Sequence, residues 1–199
     1  MILCFATHNR YKLLEITQLV KRDISLLSLD DIGCTEDLPE IHPTLQENSY
    51  SKAEYVYRKY HVNCFADDTG LEVEALGGAP GVLSARYAGP GKNSSDNIRL
   101  LLRNLQEHHN RSARFRTVIT LFLDHKDYTF EGIVEGTITE IKRGVHGFGY
   151  DPVFLPSGHE ITLAEMPLSE KNAISHRAIA IRKLVDFLNA YKLGRKTNE

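Results

Sequence analysis

Two adjacent acids, Asp67 and Asp68, follow an apolar run at residues 62–66 and precede Thr69 and Gly70. Paired carboxylates delivered by a strand suit a divalent metal. Magnesium takes hard oxygen ligands and is commonly held by one or two carboxylates plus substrate phosphates. The competing reading is a turn, because Asp, Thr and Gly are turn residues. Two features favour chemistry. Like charges against a buried strand raise each other's pKa, and Gly77, Gly78 and Gly81 downstream permit close backbone approach to a ligand.

The cations that could meet a phosphate lie on other segments. Residues 2–6 read as a buried strand that runs into Thr7-His8-Asn9-Arg10-Tyr11-Lys12. A helical pattern follows, with Leu13, Ile16, Leu19 and Val20 on one face. Free N–H groups and the helix dipole at such a joint favour an anion; a capped helix with solvated charges is the plainer alternative. Residues 24–29 form a second strand, so the chain opens β-α-β. Thr44 and Glu47 fit a capping box, and the helix they open carries Asn48, Lys52 and Tyr55 on one face. Residues 96–105 form another helix. Residues 114–123 alternate as a strand, and 128–141 supply one or two more, making a hairpin region. The stretch Pro90-Gly91-Lys92-Asn93-Ser94 fails the phosphate-loop pattern and is set aside.

Towards the carboxyl end, a glycine-rich loop presents Phe148 and Tyr150, either of which could stack a nucleobase or pack into the core. The helix over 174–188 begins among Lys171, His176 and Arg177. Cations are unfavourable at a helix start, and a bound anion would offset them. The tail at 193–199 is expected to fray.

Composition narrows the setting. The chain has 199 residues, 42% hydrophobic and 25% charged, with a net charge of -2. These values suit a globular domain and argue against a bulk nucleic-acid binder. No run is long and apolar enough for a membrane span. Cys4, Cys34 and Cys64 show no paired spacing, so reduced thiols and a cytoplasmic setting are expected, with Cys4 and Cys64 as small buried hydrophobes. The whole chain, 1–199, reads as one α/β domain with a mixed sheet, a helix-rich lobe and a hairpin-rich lobe.

Five ordered blocks carry a resemblance. They are Ala6-Thr-His-Asn-Arg-Tyr-Lys12 with Glu15; Thr44-Leu-Gln-Glu-Asn48 with Lys52; Ala66-Asp-Asp-Thr-Gly-Leu71 through Gly77-Gly-Ala-Pro-Gly81 and Ser84-Ala-Arg-Tyr87; Phe148-Gly-Tyr-Asp-Pro152; and Glu170-Lys-Asn-Ala-Ile-Ser-His-Arg177. On these the chain resembles the Ham1/RdgB-type inosine triphosphate pyrophosphatases, which act on noncanonical purine nucleoside triphosphates. His8 and Tyr11 depart from many members. The resemblance implies a long mixed sheet flanked by helices, two lobes with the active site in the cleft between them, and a homodimer. It implies magnesium-dependent hydrolysis of ITP, dITP or XTP to the monophosphate and pyrophosphate. By position it assigns the phosphates to Thr7, His8, Asn9, Arg10, Tyr11 and Lys12, and catalysis to Asp68 with Asp67 and Lys52 beside it. It assigns the metal to Asp68 and Glu40, and substrate contact to Thr69. The base pocket and its rim fall to Phe148, Gly149, Tyr150, Asp151, Lys171, His176 and Arg177. Donors from His176 or Arg177 would select an O6 acceptor over the amino group of adenine; the residue that excludes GTP is not identified. The other readings are an idle nucleotide-sensing module, a broad triphosphatase that releases orthophosphate, and a nucleic-acid binder, which the charge balance disfavours.

Overall fold

The computed structural model describes residues 1–20 and 24–196; of the tail expected to fray, residues 193–196 instead continue the last helix, and 197–199 lie outside the described residues. Buried strand β1 (Ile2–Phe5) feeds helix α1 (Arg10–Leu19) and returns in β2 (Ser25–Leu27), parallel to β1. Helix α2 (Leu45–Tyr60) starts at Thr44, whose Oγ1 accepts from the Glu47 N–H at 3.1 Å. The other half of the expected box differs: the Thr44 hydroxyl donates to Glu47 Oε2 at 2.8 Å.

The next strand corrects the sequence reading. β3 (Cys64–Val73) does not end at the two acids but runs straight through them. It is held antiparallel to β5 (Ser112–Leu123) from Cys64↔Phe122 to Val73↔Ala113. This continuous ladder overrides the turn preference of Asp-Asp-Thr-Gly, because every backbone group in a buried strand needs its partner. Beyond β3 come the short β4 (Pro80–Gly81) and α3 (Ser94–Asn104). The hairpin partner β6 (Lys126–Ile138), then β7 (Phe154–Pro156), α4 (Leu168–Ile174) and α5 (His176–Lys196) complete the order. The sheet is mixed, ordered β2-β1-β3-β5-β6-β7, with β4 added to β3.

Two consequences position the site. First, strand side chains alternate faces. Phe65 packs with Ile181 and Leu184 of α5, while Cys64 and Ala66 pack with Ala53 and Val56 of α2. Asp67 therefore points to the α1/α5 face and Asp68 to the α2 face. Second, β1 stops at Phe5, opposite Phe65, and β4 joins β3 only from Leu71. Between them β3 has a strand neighbour on one side alone. Ligands in α/β sheets bind outside such carboxyl strand ends, where the order changes.

The three cysteines are free and buried among the described residues. No described helix is long and apolar enough to cross a membrane.

Candidate active site

A cavity of about 260 Å³ opens at this gap in the sheet. Asn9, Lys12, Glu40, Asp68, Thr69, Phe148, Gly149, Tyr150, Asp151, Lys171, His176 and Arg177 all line it. A depression beside Tyr50 and Asp127 is larger, about 700 Å³, but no Lys or Arg among the described residues lines it. An anionic ligand needs the first.

On the α2 side, Lys52 Nζ donates to Asp68 Oδ1 at 3.0 Å and to Glu40 Oε1 at 2.9 Å. Lys52 reaches there because it lies on the inward face of α2 with Asn48, Ser49 and Ala53. Glu40 is placed by the loop before α2. Asn48 staples that loop, accepting from the His42 N–H at 2.9 Å and donating to the His42 carbonyl at 3.1 Å. Glu36 ties its other end to α2 by accepting from Tyr55 and Tyr60, each at 2.8 Å. Burial raises the Asp68 pKa above the ordinary value, and the Lys52 charge only partly opposes it. Burial also acts on Glu40, but there Lys52 wins and the carboxyl is held below its usual range. Burial acts against the Lys52 cation, yet Asp68 and Glu40 raise its pKa, so it keeps its proton.

On the α1/α5 side, Lys12 Nζ donates to Asp67 Oδ1 at 2.8 Å, and Arg177 Nε to Asp67 Oδ2 at 3.1 Å. Burial alone would raise Asp67; the charges of Lys12, Arg177 and Lys52 outweigh it and hold the carboxyl well below the usual range. Asp67 and Lys52 lie outside the cavity lining and act on it through these pairs. The helix start is capped: Asn9 Oδ1 accepts from the Tyr11 and Lys12 N–H groups at 3.0 and 3.2 Å. The free N–H groups expected there are thus partly taken, and it is the Lys12 ammonium that reaches the cavity.

At the base end, His176 is buried, stacked on Phe115 at 4.6 Å, with Nδ1 2.6 Å from Thr117 Oγ1. Burial, reinforced by Arg177 and Lys171, holds its pKa well below the ordinary value, so the ring is neutral. The start of α5 approaches this closely because residue 132 of β6 is glycine: a Cβ there would overlap the His176 carbonyl oxygen. Lys171 Nζ donates to Asp151 Oδ2 at 2.5 Å, and the Asp151 carboxylate also accepts from the Phe148 N–H at 2.8 Å. Tyr150 is a core side chain whose hydroxyl donates to the Ser84 carbonyl at 2.9 Å.

Sequence reasoning gave no role to Glu15. It is buried on α1, accepts from Arg177 Nη1, and pairs with Lys171 Nζ at 2.6 Å. The cations around the start of α5 are therefore offset by the protein's own acids, where the sequence suggested that a bound anion would do so. Glu15 lies three residues beyond Lys12, on the inward face with Ile16; a carboxylate at a core-facing helical position was the available signal. Arg86 and Lys92 were missed too. Both line the cavity, 3.8 Å from Glu40 Oε2. Of the remaining expected residues, the Thr7 hydroxyl accepts from the Asn9 N–H, His8 Nε2 sits 3.0 Å from the Glu36 carbonyl, and Arg10 is exposed. None of these three lines the cavity, nor does Tyr11.

No cluster of three or more His, Cys, Asp or Glu fit for a metal occurs among the described residues. Asp68 and Glu40 supply two carboxylates, and Asp68 has Lys52 as its one side-chain partner among the described residues. That donor set fits magnesium, which draws its remaining ligands from water and substrate phosphates.

The chain is similar to known proteins along nearly its whole length. Residues 3–187 match the family model described as the Ham1 family. The dITP/XTP pyrophosphatase of Flavobacterium johnsoniae is 53% identical over 192 residues, covering 96% of this chain and all of that protein. The dITP/XTP pyrophosphatase of Porphyromonas gingivalis is 54% identical over 187 residues, 94% of this chain and 96% of that one. Among solved structures, the Staphylococcus aureus Ham1 protein superposes with a TM-score of 0.87 at 35% identity, covering 96% of this chain and 100% of that chain. A HAM1 protein from Coxiella burnetii gives 0.88 at 35% identity, covering 96% and 99%.

Proposed function

We propose that this chain, which belongs to the Ham1 family, hydrolyses noncanonical purine nucleoside triphosphates such as dITP, ITP and XTP to the monophosphate and pyrophosphate. The observation that carries the reading is the Asp68–Lys52–Glu40 chain facing a cavity whose other wall holds Lys12, Lys171 and Arg177. One side offers a carboxylate for water; the other offers cations for phosphate.

Phosphoryl transfer leaves the protein mostly positioning and charge stabilisation to supply. Lys12 and Asn9 bind the phosphates at the start of α1. Asp68 is the proton acceptor for the attacking water, and its raised pKa makes it a stronger base than an exposed aspartate. Lys52 fixes the orientation of Asp68 and Glu40. Those two acids would hold a magnesium ion, which when bound neutralises charge on the triphosphate and polarises its phosphoryl oxygens. Asp67 is a positioning residue for Lys12 and Arg177. At the base end, neutral His176 has its Nδ1 engaged by Thr117, which leaves Nε2 to meet the purine edge. Lys171 supplies a donor for O6. Every Arg177 nitrogen is already bound, to Asp67, Glu15 or Thr69, so its part is to hold the pocket rigid.

The test is incubation with magnesium and, separately, dITP, XTP, GTP and ATP, with the phosphate product identified and Asp68→Asn as control. The expected result is pyrophosphate from dITP and XTP, little turnover of GTP or ATP, and an inactive variant. Orthophosphate would overturn the pyrophosphatase reaction, and equal turnover of all four would overturn the specificity; binding without turnover would favour the idle module. The family resemblance also carries a homodimer into the proposal, and the cysteine spacing a cytoplasmic setting; sedimentation of the purified chain tests the first.

A further inference from the structure

We propose that Tyr11 is a positioning residue for base recognition, backing the Phe148 ring from outside the cavity. The proposal rests on the reading above only in that a purine enters beside Phe148. The two rings are near-parallel, 16° apart, with centroids at 5.4 Å, within the range of favourable aromatic stacking. Phe148 lines the cavity and Tyr11 does not; Tyr11 is 58% exposed. Tyr11 thus covers the solvent side of Phe148, whereas Lys171 Nζ at 5.0 Å and Arg177 at 5.5 Å approach the same ring from among the cavity residues.

The support matters because Phe148 has little of its own. Its neighbours Gly147 and Gly149 both hold positive φ, +73° and +61°, conformations that glycine adopts without cost. Its backbone is held through one residue, Asp151: the Phe148 N–H donates to Asp151 Oδ2 at 2.8 Å and the Phe148 carbonyl accepts from the Asp151 N–H at 3.2 Å. Tyr11, by contrast, stands on the first turn of a capped helix, its own N–H bound by Asn9. That turn also carries Lys12, which lines the phosphate end of the cavity. The stack therefore joins the phosphate-binding turn to the base platform, two segments far apart in the sequence.

Binding of inosine monophosphate and of inorganic tripolyphosphate, measured by calorimetry on the full chain, separates the two ends. Tyr11→Ala is expected to weaken inosine monophosphate about three- to tenfold, the usual worth of one aromatic pair, and to leave tripolyphosphate unchanged. Tyr11→Phe keeps the stack and is expected to bind both as the parent does. Equal weakening of both ligands would show damage to the phosphate turn and overturn the proposal. So would unchanged inosine monophosphate binding. Tighter binding in Tyr11→Ala would also overturn it, showing that Tyr11 competes with the base for the ring. Turnover of ITP by the parent is scored separately: absence of pyrophosphate with the binding contrast intact would defeat the pyrophosphatase reading and leave Tyr11 in its role.

Discussion

Asp67 and Asp68 are the same residue type at consecutive positions of one strand, both nearly inaccessible, and their acidities move in opposite directions. Burial pushes both up. What separates them is the face each points to. Asp67 meets Lys12 and Arg177 directly, with no acid in contact. Asp68 meets Lys52 alone and shares it with Glu40. Two cations on Asp67 outweigh its desolvation, whereas the one cation that Asp68 shares with Glu40 outweighs burial only for the more exposed Glu40. The strand's two-residue period has thus made, from an identical pair, one acid held ionised by two cations and one of raised pKa, the acid proposed to react.

Substituting each acid in turn should break that symmetry most visibly in activity. Asp68→Asn removes the proposed proton acceptor, and kcat is expected to fall about 10²- to 10⁴-fold, measured as pyrophosphate released from dITP. Its thermal midpoint should stay near the parent's, because the lost charge was poorly stabilised. Asp67→Asn should do the reverse in stability. It leaves Lys12 and Arg177 buried without their acid, and breaking a buried pair costs about 3–5 kcal/mol, read by denaturant unfolding. A large midpoint drop for Asp68→Asn and none for Asp67→Asn would show that the two roles are exchanged. Glu15→Gln sharpens the contrast further. It weakens the charged bonds to Lys171 and Arg177 but keeps the side-chain shape, so a loss of about 1–3 kcal/mol is expected. A rise in KM should accompany it, since both cations line the cavity.

This division was half legible in the sequence. The β-α-β opening, the Thr44 helix start and the shared helix face of Asn48 and Lys52 follow from periodicity and capping, which are local; that this face is buried does not. The acids, Lys12, Lys171 and His176 were identifiable through ordered motifs. The path of β3 was not, because Asp-Asp-Thr-Gly has turn chemistry and what keeps it extended is its pairing with β5, some fifty residues away. For the same reason the split of Asp67 and Asp68 onto opposite faces could not be foreseen. Glu15 was hidden differently: its partners Lys171 and Arg177 lie at the far end of the chain. Lys92 was dismissed with a phosphate-loop pattern that its segment fails, although the fold still brings it to the cavity wall.

The smallest expected effect is the pH dependence of stability, and it distinguishes the two acids by sign. Asp67 has a folded pKa below its unfolded value of about 3.9, so its contribution is present above that value. As pH falls, the unfolded chain takes up the proton first, and the contribution is lost through the folded pKa. Asp68, with its pKa raised in the folded state, costs stability at neutral pH and the cost disappears as pH falls through its folded and then its unfolded pKa. His176 adds to the acid-side loss: its folded pKa is depressed, so below about 6.5 the unfolded chain binds the extra proton and stability declines. Unfolding free energies for the parent, Asp67→Asn and Asp68→Asn across pH 3–8 test this. The gap between the parent and Asp67→Asn should narrow towards the acid end. Asp68→Asn, freed of the penalty, should gain on the parent at pH 7 by more than at pH 4. Parallel curves for all three would mean that neither acid changes its pKa on folding, and the assignment of one structural and one reactive carboxylate would then rest on catalysis alone.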